Sequence, residues 1–207
     1  VITHARRAVP WPLVLACAIL VTAMMATVGH WTWVAWPLQG AAVGLLAATA
    51  VRCVDEPAAE LADTAPRGLR WRAAAGGLGV LVLLGAWIAS GVLLGGDLVG
   101  HRADVLGQGL AATLAAWGVA AWLRSRGVPA PGRELATWIA ALLTGVALAR
   151  PYPRALPLFP YGPDAAWAAS RALWAAVLAV GVLALVLAAS EWGWRRTTRA
   201  RPGIPPR

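Results

Sequence analysis

The side chains best placed to do chemistry in this chain are four carboxylates in one short stretch, Asp55, Glu56, Glu60 and Asp63, between Arg52 and Pro66. The stretch reads as a short amphipathic helix over 55–65. Asp55 can cap its first turn, Pro57 is tolerated there because the early N–H groups have no helical acceptor, and Pro66 ends it. At 100° per residue Glu56, Glu60 and Asp63 share one stripe, while Ala58, Leu61, Ala62 and Ala65 lie opposite. A helix resting on lipid headgroups carries a basic polar face. This one is acidic, so it suits a protein partner better than a bilayer. The alternative is a solvated connector.

A second unusual segment runs from Arg150 to Pro163 and holds five prolines in fourteen residues. No continuous helix can form there. Leu156, Leu158, Phe159, Tyr152 and Tyr161 nevertheless make it amphipathic, so it is expected to pack back against the membrane. As a functional element it would close the outer end of a transport path, with Tyr152, Phe159 and Tyr161 as the gate residues. Otherwise it is a connector lying on the bilayer.

Other chemistries are excluded by what is missing. The chain has no lysine, so a P-loop cannot hold a nucleotide phosphate here and no ATP hydrolysis is expected of it. His4, His30 and His101 all fall outside the apolar runs, which argues against an intramembrane metal or haem site. Neither GxSxG nor HExxH occurs, and Ser90 and Ser170 have no embedded histidine to activate them. The chain is therefore expected to be no enzyme and to bind no cofactor. Asp97, Asp104, Glu134, Asp164 and Glu191 lie near the ends of apolar runs or in loops, so no carboxylate sits at depth to drive ion-coupled transport. Thr22, Thr49, Ser90, Thr113 and Thr144 are at depth but can bond to their own helix backbone.

These residues are held by an all-α membrane frame. With 59% hydrophobic and 13% charged residues, the chain cannot fold as a soluble domain without large exposed apolar patches. Six runs approach the length needed to cross about 30 Å of hydrocarbon: 13–28, 34–51, 73–94, 105–123, 135–149 and 165–189. The second and fifth are short, and Pro37 lies near the start of the second, so either could be tilted or re-entrant. The expected organisation is a single transmembrane domain over 1–194 and a basic tail over 195–207.

Orientation follows from arginine. With the N-terminus inside, Arg6, Arg7, Arg52, Arg67, Arg70, Arg72, Arg124, Arg126, Arg133, Arg195, Arg196, Arg199, Arg201 and Arg207 are cytoplasmic, and only Arg102, Arg150, Arg154 and Arg171 are outside. That asymmetry matches the bias of cytoplasmic loops toward basic residues and puts both termini in the cytoplasm of a multi-pass cell-membrane protein. The net charge of +9 thus marks loop orientation, and no basic stripe with interleaved aromatics points to nucleic acid. Most tryptophans fall near the ends of runs, as interfacial anchors do, with Trp87, Trp117 and Trp174 deeper. Cys17 is expected in lipid and Cys53 in the cytoplasm. The pairs Gly40/Gly44 and Gly91/Gly95 have the four-residue spacing that permits close helix approach.

Taken together, six spans with the N-terminus inside, an amphipathic helix in the first cytoplasmic loop and an amphipathic segment between spans five and six resemble the membrane subunit of an ABC-2-type exporter. The 55–66 loop and the arginine-only, alanine-rich composition are also similar to actinobacterial permeases. The resemblance implies a dimer of membrane subunits docked to a separate cytoplasmic ATPase, which binds ATP and magnesium. The first loop would then act as a coupling helix, which carries over to Asp55, Glu56, Glu60, Leu61 and Asp63. The cargo would be amphipathic or apolar. A membrane accessory or assembly subunit that positions a partner through the same helix is the alternative.

Overall fold

The computed structural model describes residues 8–55, 69–96, 98–149, 157–160 and 166–199. These form six long helices, α1 (Trp11–His30), α2 (Ala35–Arg52), α3 (Leu69–Leu93), α4 (Arg102–Ser125), α5 (Pro131–Ala149) and α6 (Ala166–Arg199), with short 3₁₀ turns at Thr32–Val34 and Leu98–Gly100. The helices lie where the apolar runs predict them.

Local chemistry sets their ends. Proline stands at the start of α1, and Pro37 is the third residue of α2, where its missing N–H costs no helical bond. The α4 helix stops in a Schellman arrangement. Val128 N–H donates to the Leu123 carbonyl at 3.2 Å and Gly127 N–H to that of Arg124 at 3.2 Å, while Gly127 takes a φ of +99° that side-chain-bearing residues rarely adopt. Pro131 then opens α5.

Consecutive helices run antiparallel. The α1, α2, α4 and α3 helices pack in a closed ring, α5 lies against α2, and α6 lies against α4. Glycine permits the closest crossings. A Cβ on Gly118 would collide with the Gly181 backbone, and one on Gly181 with Ala115, so α4 and α6 meet backbone to backbone. A Cβ on Gly40 would overlap Ala147, and one on Gly44 would lie 3.2 Å from Leu143 Cβ, which seats α2 on α5. Gly91 and Gly95 instead accommodate the Leu106 and Met25 side chains.

Among the described residues, five helices are long and apolar enough to cross a membrane: α1, α3 from Ala74, α4, α5, and α6 as far as Ser190. Their uncovered faces carry large aliphatic residues, among them Leu15, Ile19, Leu81, Leu93, Leu142, Val180, Leu183 and Val186. In water such a belt would be untenable; in lipid it is the stable arrangement. The chain is a helical multi-pass membrane protein. The remaining helix, α2, is less apolar, with Gln39, Gly40, Gly44 and Thr49 among many alanines. It is also enclosed, with buried residues on nearly every side from Ala42 to Val51, so it presents little surface for which lipid would select leucine or valine. At 18 residues it is about 27 Å long.

Candidate functional site

Near the start of α2 and of α4 stand Gln39 and Gln108, the only carboxamides in the chain. Both helices, and α6 beside them, start at the same end of the bundle, so side chains in their second turns lie at similar depth. Gln39 Nε2 donates to Gln108 Oε1, Gln108 Nε2 donates to Ser170 Oγ at 3.1 Å, and Ser170 Oγ donates to the Leu158 carbonyl at 3.3 Å. The indole N–H of Trp174 donates to that same carbonyl at 2.8 Å. Gln39, Gln108 and Ser170 are 6%, 2% and 1% exposed. A buried polar group left without a partner is costly, so each of these residues depends on the next.

The Pro157–Pro160 segment closes over this relay. Phe159 is buried, its ring centroid 5.8 Å from that of Trp174, and it fills the notch that Gly40 leaves on α2, where a Cβ would come within 3.2 Å of the ring. Nearer the helix starts is a second, charged cluster. Asp104 Oδ2 accepts from Arg171 Nη1 at 3.0 Å and lies 3.0 Å from His101 Nδ1, while Trp167 stacks on His101 with centroids 4.2 Å apart. Both clusters tie α4 to α6.

At the opposite end, Asp55 leaves α2 and caps α5. Its Oδ1 accepts from Gly132 N–H at 2.8 Å and its Oδ2 from Arg52 Nη1 at 2.8 Å. The carboxylate thereby satisfies one of the orphan donors of the α5 N-terminus and sits at the positive end of its dipole. Burial pushes the Asp55 carboxyl above its ordinary range, against the opposing pull of the Gly132 N–H and of Arg52, Arg124 and Arg133.

Among the described residues, no group of three or more His, Cys, Asp or Glu side chains could hold a metal ion. Ser170 Oγ lies between a carboxamide and a peptide carbonyl, neither of which can take its proton. What the relay can do is mechanical. It can hold three helices and the proline-flanked segment in one arrangement, and it can report when one of them moves.

Of the partner-binding and gate residues expected from the sequence, Asp55 and Phe159 are described. Asp55 aims at α5, and Phe159 packs into protein and not into a lipid leaflet. Glu56, Glu60, Leu61, Asp63, Tyr152 and Tyr161 lie outside the described residues. Trp31, Trp33 and Trp138 are exposed, as anchors must be, whereas Trp167 is buried. Cys17 faces the bundle interior, its thiol 3.7 Å from the Leu45 carbonyl, and Cys53 is buried at the end of α2. Thr22 and Ser90 bond to their own helices, to Ala18 and Trp87 carbonyls, but Thr113 Oγ1 is buried without a partner among the described residues. Sequence reasoning passed over Gln39 and Gln108. The signal was there: two amides in an otherwise apolar setting, in the second turns of helices that start from the same side.

Compared with known protein families, curated proteins and solved structures, the chain matches none.

Proposed function

We propose that the chain is the membrane subunit of an ATP-driven exporter, crossing the membrane six times with both termini cytoplasmic. A separate ATPase supplies ATP and magnesium chemistry, and the loop after α2 couples it to the bundle. One observation carries this reading. The α2 helix is clamped by side chains at both ends, to α5 through Asp55 where the loop begins, and to α4 through Gln39 beneath the proline segment. A pull on the loop therefore acts on α2 and α5 together and reaches the relay along a helix, which is stiff. The cargo is amphipathic or apolar, since the relay is uncharged.

A second membrane subunit fits the outer face of α5. This helix has few buried residues, and it turns Arg133, Glu134, Thr137, Ala141 and Gly145 away from the bundle alongside Trp138, Leu142 and Leu148, whereas the 180–187 stretch of α6 exposes Val180, Val182, Leu183, Val186 and Leu187. Small and polar residues favour helix contact over lipid.

The test is copurification with a candidate ATPase, read beside ATP turnover. The isolated chain should hydrolyse nothing. Reversing Glu60 and Asp63 to arginine should weaken assembly while leaving insertion intact. Introduced thiols at Arg126 and Arg102 should label from opposite sides of the membrane. If the charge-reversed chain assembles and transports like the parent, the loop is only a connector. A membrane accessory subunit is the second reading. It is favoured by the backbone-close packing of α2 on α5 and of α4 on α6, and it predicts ATPase binding without cargo uptake into inverted vesicles.

A further inference from the structure

We propose that the Pro157–Pro160 segment is a latch whose seating is controlled by α2 through the Gln39–Gln108–Ser170 relay. This rests on the reading of the segment as a gate, and it adds the device that holds and releases it.

Prolines at 157 and 160 have no N–H, so the segment has few backbone donors of its own with which to be anchored. Its described anchors are instead one carbonyl and one ring. The Leu158 carbonyl accepts from Trp174 Nε1 at 2.8 Å and from Ser170 Oγ at 3.3 Å, both on α6. The Phe159 ring rests against Trp174 on one side and the Gly40 notch of α2 on the other. The latch is thus gripped between two helices that both pack on α4.

Gln39 is the residue next to Gly40, so α2 carries both the notch and the first member of the relay. If α2 shifts or turns relative to α4, the notch moves from under Phe159 in the same motion that separates Gln39 Nε2 from Gln108 Oε1. Gln108 is then free to reorient, and Ser170 loses the donor that orients its hydroxyl toward Leu158. Buried carboxamides do not tolerate an intermediate position without partners. The arrangement therefore favours two states, seated and released, over a continuum. Asp55 holds the far end of α2 to α5, so movement that begins in the loop after α2 arrives at the latch without passing through α6.

The experiment measures exposure of the latch directly and needs neither cargo nor ATPase, so its outcome is separate from that of the copurification test. In a Cys17→Ala background, Leu158→Cys places a thiol on the segment while keeping the carbonyl, and native Cys53 serves as a buried reporter of the fold. Both are labelled with a maleimide in detergent micelles and read by mass spectrometry. Trp174→Phe removes one anchor and keeps the ring. Gln39→Met keeps the length of the side chain and removes its donor. Each should raise labelling at position 158 by about fivefold, within the range that one interhelical membrane hydrogen bond spans, with Cys53 unchanged. If Trp174→Phe raises labelling and Gln39→Met leaves it at the parent rate, the segment is held by α6 alone and the proposal fails. If both variants expose Cys53 as well, the relay is general scaffolding and the proposal fails equally.

Discussion

The two ends of α2 do the same job with different chemistry. At one end a carboxylate, Asp55, meets a backbone N–H at the N-terminus of α5 and the Arg52 guanidinium of α2 itself. At the other, neutral carboxamides pass a hydrogen bond across α4 to α6 and to a peptide carbonyl. Depth explains the difference. Asp55 follows the last turn of α2, where water, a helix dipole and three arginines can offset the cost of its charge. Gln39 and Gln108 lie inside apolar helices, where an ion would be expensive and a neutral donor–acceptor pair is tolerated. A charged clamp depends on pH. A neutral one responds to geometry alone.

The contrast can be tested most severely where α2 and α5 touch through glycine at either end. Gly40→Val would drive a side chain into Ala147 and Phe159, and Gly132→Val would drive one into the Val51 carbonyl and the Asp55 carboxylate. Each should cost about 3 kcal/mol, the upper part of the range for overpacking, measured by unfolding in micelles. Equal losses would mean that both ends are equally rigid. A much smaller loss at Gly40 would mean that the proline segment yields.

Next in size is the neutral end. Gln108→Leu strands the Gln39 amide and takes away the donor to Ser170, and should destabilise by about 2 kcal/mol, the penalty for a buried group left unsatisfied. The double change Gln39→Leu with Gln108→Leu should cost less than the sum of the single ones, because removing both partners strands fewer groups. Additive losses would show that the two amides act independently. At the charged end, Asp55→Ala should cost about 1 kcal/mol, as loss of an N-cap does. Asp55→Asn should cost less, since an amide oxygen can still accept from Gly132.

The smallest effect is the dependence on pH. Because the Asp55 carboxyl is raised above its ordinary range by burial, the folded protein holds that proton more tightly than the unfolded chain does. The contribution is fully present below the unfolded value and is lost as pH rises through the folded one. Asp55→Asn should flatten this slope in mildly acidic buffer, and Gln39→Met should leave it unchanged, since carboxamides bind no proton in this range. A slope that persists in Asp55→Asn would assign it to another group.

Much of this frame was legible in advance, and some of it was not. The apolar runs mark every helix, because lipid requires backbone groups to bond within their own segment and rewards continuous hydrophobicity. The placement of Phe159 in a polar-backed seat was not readable, since a Pro-rich stretch has no periodicity to say which way a ring points. Asp55 was read as the cap of the helix that follows it, and it caps one 77 residues away. Local spacing identifies a residue able to cap, but not which helix start comes within its reach. Cys17 and Trp167 were assigned to lipid and interface from their positions along a span, yet position along a helix says nothing about which side of it faces a neighbour.

By itself, then, the sequence determined the class of the protein and the places of its long apolar helices, because these depend on composition and on periodicity within one segment. Only the tertiary structure decided that α2 is the enclosed helix, that two lone carboxamides 69 residues apart bond to each other, and that a serine on a third helix passes the bond on to a proline-flanked segment. The reason is physical. Lipid tests each span for its apolar character separately, whereas a buried hydrogen bond depends on the relative rotation of two helices, and that rotation is set by where glycines let backbones approach.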